Sequence, residues 1–132
     1  MIEAECAAGE RVIAETPGYI VFHPFASHVP FETWILPKIF RPAFGHVTLE
    51  ELKELSKILL QTLAPLAEVV DDPDYNLVLH SASVEDEDEE YFLWHLRIIP
   101  RLTQLAGFEI GSGMLINIFR PEETARLLRG QI

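Results

Sequence analysis

Two histidines and an arginine interrupt apolar segments of the sequence, and these three residues are its most reactive-looking feature. In Tyr91–Ile99, alternate residues form an apolar face typical of a core-facing strand, while His95 and Arg97 point to the opposite face. His80 stands in a second apolar segment, Tyr75–Ala82. If these two strands pair, His80 and His95 lie close together, and two imidazoles and a guanidinium share one patch. The core-facing residues would be Phe92, Trp94, Leu96 and Ile98.

Such a patch suits two kinds of chemistry. Imidazoles bind metal ions, and an imidazole can also act as a nucleophile. The structural alternative is that each histidine hydrogen-bonds a neighbouring polar group within a filled core. Spacing alone leaves these possibilities open. The remaining histidines, which we predict to be ordinary surface residues, are His23, His28 and His46.

The elements that must position this patch begin with three strands. Pro17-Gly18 separates two β-rich segments and predicts a hairpin, and Pro30 and Pro37 bound a third strand. The predicted strands are Arg11–Glu15, Tyr19–His23 and Phe31–Leu36, followed by a loop over Lys38–His46.

A long helix is predicted after this loop. Thr48 and Glu51 have the spacing of a capping box, in which each side chain bonds the other residue's backbone N–H. Leucines then recur every three or four residues, and Pro65 should kink or end the helix. The predicted core-facing leucines are Leu49, Leu52, Leu55, Leu59, Leu63 and Leu66.

The end of the chain predicts another strand and a short helix. The glycine-containing stretch Gly107–Gly113 leads to a strand near Met114–Phe119. Pro121 suits the first turn of a helix that closes at Gly130. The whole order predicts an α+β fold, with an antiparallel sheet covered on one face.

Composition limits the partners of the chain. Its 132 residues predict one domain, residues 1–132, and its net charge of −11 opposes nucleic acid and anionic membranes. The sequence contains no run of 18 apolar residues, which a membrane-spanning helix would need. Its single cysteine, Cys6, excludes an internal disulfide. We therefore expect a cytoplasmic protein. The acidic run Glu85–Glu90 predicts a solvated loop rather than a cation-binding loop, which would need a glycine turn.

Four blocks of the sequence resemble one family, in order. They are residues 30–38 (PFETWILPK), 74–80 (DYNLVLH), 94–101 (WHLRIIPR) and 106–113 (AGFEIGSG). They resemble the C-terminal half of galactose-1-phosphate uridylyltransferases, members of the histidine-triad (HIT) superfamily. The resemblance implies a HIT-like α+β domain, with an antiparallel sheet of about five or six strands, one long helix and a short C-terminal helix.

The resemblance also implies a metal site, because this half holds zinc or iron in some members of the family. Glu5, His80 and His95 match the ligand positions. Family members commonly have a histidine or glutamate where this chain has Arg97. Because a permanent cation repels a divalent metal and only donates hydrogen bonds, we expect a degenerate site with well below one metal ion per chain.

The family's nucleophile is not present in this sequence. The first half of the family carries a His-Pro-His motif, whereas His23-Pro24-Phe25 lacks the second histidine. His95 holds the nucleophile's place in the wider superfamily, but Leu93 and Arg97 replace the flanking histidines. The resemblance therefore implies a half that does not react alone. Two alternatives are a stand-alone HIT-like nucleotide hydrolase or transferase that uses His95, and a non-catalytic binding module.

By resemblance, the whole enzyme would transfer a nucleotidyl group between UDP-glucose and a hexose 1-phosphate. This half would supply packing, dimer contacts and part of the sugar-phosphate pocket, and the glycine stretch would either reach the sugar phosphate or merely turn between strands. We expect a homodimer or a separate N-terminal HIT-like half as partner, and whether residue 1 is a natural start stays open. The implied substrate-binding residues are Arg97, Glu109, Gly111, Ser112, Gly113 and Asn117.

Overall fold

A computed structural model describes residues 2–86 and 91–130. The helices in these ranges are α1 (Ile2–Ala8), α2 (Leu49–Val70), α3 (Gly107–Ser112) and α4 (Pro121–Arg129), and Phe44–His46 forms one 3₁₀ turn. The strands are β1 (Val12–Glu15), β2 (Tyr19–Phe22), β3 (Thr33–Pro37), β4 (Tyr75–His80) and β5 (His95–Pro100).

The five strands form one antiparallel sheet in the order β1-β2-β3-β5-β4. The hairpin predicted around Pro17-Gly18 is present, with Glu15 opposite Ile20. The connection through α2 carries the chain from β3 to β4, which returns as the outer strand beside β5. This order places the two histidine-bearing strands next to each other.

One face of the sheet packs against α2 and α4 and holds the main core. Tyr19, Ile35 and Ile98 from the sheet are buried there with apolar residues of both helices. The predicted capping box starts α2, since the Thr48 N–H donates to Glu51 Oε2 at 2.7 Å and the Glu51 N–H donates to Thr48 Oγ1 at 3.3 Å. The predicted α+β architecture, with one long helix and a short C-terminal helix, is confirmed.

The long helix differs from its prediction at both ends. Pro65 lies inside α2, which continues to Val70, because burial of the helix face stabilises the turns that follow the proline. Leu49 and Leu52 are 67% and 37% exposed, so the predicted leucine stripe begins one or two turns too early. The buried residues of α2 are Leu55, Ile58, Thr62, Pro65 and Leu66.

The segment after β5 also differs from its prediction. Gly107–Ser112 is helical, and Gly113 ends this turn of helix with a left-handed φ of 70°. Residues 114–119 do not form the predicted strand, although their pattern favours one, because none of the described strands pairs with them. The apolar side chains left exposed there are Met114, Leu115, Ile116, Ile118 and Phe119.

Smaller differences concern the ends of elements. β5 starts at His95 rather than Tyr91, since the Trp94 N–H donates to the Arg41 carbonyl instead of to a strand partner. The sequence did not predict α1.

The predicted acidic loop is only partly described. Glu85 and Asp86 lie in a turn, whereas residues 87–90 of the acidic run fall outside the described residues. In the described part of the chain, we find no helix long and apolar enough to cross a membrane.

Candidate functional site

The second face of the sheet carries the predicted patch. His80 lies directly opposite His95, as predicted, and the two rings stack with centroids 4.6 Å apart and planes 11° from parallel. Trp34 of β3 stacks on His95 as well, with ring centroids 4.8 Å apart. We use the name stacked network for His80, His95, Trp34, Arg97 and Glu32.

The His95 ring is oriented by a backbone group. Its Nδ1 lies 3.1 Å from the Leu93 carbonyl, so this nitrogen carries the proton and Nε2 keeps its lone pair. Partial burial lowers the pKa of His95, and the neighbouring His80 and Arg97 lower it further, although the hydrogen bond to Leu93 acts in the opposite direction. These effects together favour the neutral form of the imidazole.

Arg97 is held by a carboxylate that the sequence reasoning missed. Glu32 is 1% exposed, and its Oε1 accepts from Arg97 Nη2 at 2.7 Å, from Arg97 Nε at 3.2 Å and from Trp34 Nε1 at 2.8 Å. Its Oε2 accepts from the backbone N–H of His28 at 2.7 Å. Burial by itself would raise the pKa of Glu32, but these hydrogen bonds and the Arg97 charge outweigh it and hold the pKa below its ordinary value.

The Arg97 guanidinium therefore directs two of its five N–H donors, on Nε and Nη2, to Glu32. It also lies over Trp34, with Cζ 5.2 Å from the ring centroid. The signal that could have identified Glu32 was its position as a lone carboxylate in the apolar segment that precedes Pro37, since a buried carboxylate requires a cation.

The donor groups present do not fit a zinc or iron ion. Glu5 is buried and accepts from Arg11 Nε at 2.9 Å, so its carboxylate already has a cation. His80 Nε2 is buried and has no hydrogen-bond partner among the described residues, but two imidazoles beside a guanidinium are not a metal cage. Across residues 2–86 and 91–130, no three His, Cys, Asp or Glu side chains are grouped so that they could hold a metal ion.

His23 is a buried structural histidine, and its prediction as a surface residue is wrong. Its Nδ1 lies 2.7 Å from Thr124 Oγ1 and links the end of β2 to α4. Burial lowers the pKa of His23 to about 4, although a backbone hydrogen bond with Pro121 and the charge of Glu32 oppose this shift. His28 and His46 are exposed, as predicted.

An open cavity of about 530 Å³ lies at the other end of the same face. Ile99 and Asn76 of the sheet line it on one side, and the segment after β5 lines it through Thr103, Gln104, Leu105, Glu109, Leu115 and Ile116. Of the residues predicted to bind substrate, Glu109 lines this cavity, whereas Arg97 does not. The polar residues around it are His28, Asn76, Arg101, Thr103, Gln104 and Glu109.

The other predicted substrate residues shape this segment rather than line the cavity. Asn117 Nδ2 donates to the carbonyls of Ser27 and Val29, at 3.3 and 3.2 Å, and so anchors the segment to the connection between β2 and β3. Ser112 Oγ donates to the Phe108 carbonyl at 2.7 Å, within the short helix α3 that contains Gly111 and ends at Gly113. Glu109 Oε2 also accepts from the Ala106 N–H at 3.1 Å.

A second cavity of about 410 Å³ adjoins His95. Its walls are mainly apolar, and the Glu3 carboxylate is at its edge. Among the described residues that line it there is no lysine or arginine. The surroundings of His95 are therefore poorly matched to a phosphate anion.

The sheet order, the long helix and the position of the histidine strand define a HIT-like domain, and solved structures agree. A HIT-like protein from Bartonella henselae aligns over 99% of this chain and 95% of its own, with a TM-score of 0.70 and 16% identity, which shows the fold alone. No family model matches the chain.

Two curated relatives are more informative. An ADP-glucose phosphorylase of Arabidopsis thaliana is 35% identical over 127 residues, which are 95% of this chain and 36% of the relative. A galactose-1-phosphate uridylyltransferase of Thermotoga maritima is 30% identical over 133 residues, 95% of this chain and 42% of the relative. The crystal structure of the A. thaliana phosphorylase with bound ADP-glucose has a TM-score of 0.83 at 34% identity, over 93% of this chain and 41% of that one.

These findings confirm the resemblance inferred from the four sequence blocks. The chain matches the C-terminal part of such proteins and spans between 36% and 42% of the length of these two curated relatives.

Proposed function

We propose that residues 1–132 form one HIT-like domain, the C-terminal part of an enzyme that transfers a nucleotidyl group between UDP-glucose and a hexose 1-phosphate. The match over 95% of the chain to proteins named ADP-glucose phosphorylase and galactose-1-phosphate uridylyltransferase carries this proposal. The domain supplies scaffold and part of the sugar-phosphate pocket, and another part of the enzyme supplies the nucleophile.

The two ends of the sheet face support this division of roles. In the stacked network the Arg97 guanidinium is paired with Glu32, so its charge is already balanced inside the fold. The open cavity has room for a hexose phosphate and is lined by Glu109, which the resemblance places in the substrate pocket.

Exposed apolar surface supports a protein partner, which we propose to be a second copy of the chain or a separate N-terminal HIT-like half. β4 is an edge strand, and Tyr75, Leu77 and Leu79 on it are each more than 40% exposed. The segment after β5 adds another apolar surface at Met114–Phe119. Surfaces of this kind are typical of interaction sites.

A single, exposed cysteine is compatible with the proposed cytoplasmic location.

A second candidate is a nucleotide hydrolase that uses His95. It is favoured by the orientation of the ring, since Nδ1 faces the Leu93 carbonyl and Nε2 keeps a lone pair beside a cavity. It is opposed by the apolar lining of that cavity and by the Glu32 carboxylate that occupies Arg97.

Intact-mass measurement after incubation with UDP-glucose or ADP-glucose distinguishes the two candidates. We expect no adduct, because the described site offers His95 no phosphate-binding cation. A uridylyl or adenylyl adduct that forms with release of glucose 1-phosphate would contradict the proposal. Loss of that adduct in His95→Ala, but not in the control His46→Ala, would establish the hydrolase candidate.

A further inference from the structure

A guanidinium group of the chain itself supplies positive charge within the second face of the sheet. The Arg97 side chain is 18% exposed, and it donates from Nη2 and Nε to Glu32 Oε1 at 2.7 and 3.2 Å. The Glu32 side chain is 1% exposed, so little water reaches the pair. A carboxylate in such surroundings requires a cation, because a buried charge without a partner is strongly destabilising.

This ion pair connects segments that are far apart in the sequence. Glu32 directly precedes β3, where its Oε1 also accepts from Trp34 Nε1 at 2.8 Å. Its Oε2 accepts from the His28 N–H at 2.7 Å, in the connection that leads to β3. Arg97 belongs to β5 and lies opposite Trp34 in the strand register. The guanidinium and the carboxylate therefore cross-link β5, the start of β3 and the connection before it.

A second guanidinium engages the carboxylate that the resemblance assigns to a zinc or iron site. Glu5 accepts from Arg11 Nε at 2.9 Å, and Arg11 Nη1 also donates to Glu122 Oε1 at 2.6 Å, which joins α1 to α4. Arg97 itself stands where the resemblance implies a further metal ligand. Two carboxylates that could balance the charge of a divalent ion, Glu5 and Glu32, are thus both paired with arginines.

We infer that the Arg97 guanidinium is the structural cation of this face, in the place of the metal ion that the resemblance implies. It balances the buried Glu32 charge and links β5 to β3, which are tasks that a bound divalent cation performs in other folds. The stability of the domain is therefore independent of metal. This inference does not rest on the proposed function.

Chemical rescue of the full chain tests the inference, with the melting temperature as the readout. Arg97→Ala leaves Glu32 unpaired beside an empty space, and we expect the melting temperature to fall by about 10 °C. Guanidinium chloride at about 20 mM, far below denaturing concentrations, should restore several degrees in this variant and none in wild type. Arg97→Met is equally uncharged but fills the space, so the same salt should leave it unchanged. Sodium chloride at the same concentration controls for ionic strength.

Metal ions provide the second arm of the test. The melting temperature of wild type should respond neither to EDTA nor to equimolar zinc chloride, because the cation is already present. A rise with zinc or a fall with EDTA would show that a metal ion stabilises this domain and would overturn the inference. The same conclusion would follow if Arg97→Ala is as stable as wild type, or if guanidinium does not stabilise it.

A further pair of variants covers the case in which Arg97→Ala does not fold. Arg97→Lys keeps the charge, whereas Arg97→Met keeps only a long side chain. We expect Arg97→Lys to melt closer to wild type than Arg97→Met does, while the control Arg126→Ala, exposed on α4, should melt like wild type. Equal melting temperatures of the lysine and methionine variants would show that the fold does not need this charge and would overturn the inference.

Discussion

The two ends of one sheet face differ in the surroundings of their arginine side chains. In the stacked network, Arg97 is paired with a carboxylate that is 1% exposed and lies over an indole ring. In the open cavity, four residues further along the chain, Arg101 has no partner among the described residues. Both arginines lie on the same face, so the difference comes from what β3 and the segment after β5 place beside them.

This difference shows why a reactive-looking pattern is weak evidence of a site. His95 and Arg97 attract attention because they interrupt an apolar strand, but such an interruption is also what a buried internal network requires. Arg101 attracts less attention, since it follows Pro100 at the end of a strand.

Removing the buried carboxylate should have the largest effect. Glu32→Ala leaves the half-buried Arg97 cation and the Trp34 N–H without their acceptor, and we expect it to lower the free energy of unfolding by about 3 kcal/mol. The control is Glu50→Ala, which removes the exposed ion pair with Lys53 and should cost less than about 1 kcal/mol. Urea denaturation measures both values. If the two variants are equally stable, the stacked network is not a structural unit.

The buried histidine on the opposite face should make stability depend on pH. The folded pKa of His23, about 4, lies below its unfolded value of 6.5, so the unfolded chain binds the proton first as the pH falls. Stability is complete above pH 6.5 and declines below it, by about 2 kcal/mol at pH 5.

The variant His23→Asn isolates this contribution, because an amide can still donate to Thr124 but does not titrate. We expect its unfolding free energy to change less than that of wild type between pH 7 and pH 5. Equal pH slopes for the two proteins would show that His23 is not the group responsible.

The smallest predicted change is a gain of metal affinity in a variant that lacks the Arg97 cation. Arg97→His removes the charge that opposes a metal and places a third imidazole on the face of His80 and His95. We expect zinc to bind at least about tenfold more tightly than to wild type, measured by competition with a chromophoric chelator. Arg126→His is the control for an added surface histidine. Stoichiometric metal in wild type that disappears in His80→Ala would contradict this account.

Local sequence patterns predicted the hairpin, the capping box, the pairing of His80 with His95 and the burial of Trp94, Leu96 and Ile98 in the core, whereas Phe92, also predicted for that face, precedes β5 and contacts His95. Each depends on short-range rules, such as turn residues and alternation, that hold wherever the segment packs. The resemblance in four blocks predicted the class of fold, and the comparisons confirmed it.

The errors arose where distant residues decide the structure. Nothing near His23 in the sequence indicates Thr124, which is 101 residues away, and nothing near Arg97 indicates Glu32, 65 residues away. The segment Met114–Phe119 has a strand-like pattern but no neighbouring strand to pair with, and its anchor is the long-range hydrogen bonding of Asn117. Alternation identifies the face of a side chain but not its partner.

A single titration by two-dimensional NMR compares both arginines most directly. The Nε–Hε signals of Arg97 and Arg101 can be assigned with the two Arg→Lys variants and followed while glucose 1-phosphate is added. We predict that the Arg101 signal, which reports on the open cavity of the proposed function, shifts with a saturable dependence on concentration, while the Arg97 signal, held by Glu32, stays in place. A saturable shift of the Arg97 signal with no change at Arg101 would place the ligand in the stacked network and contradict the account.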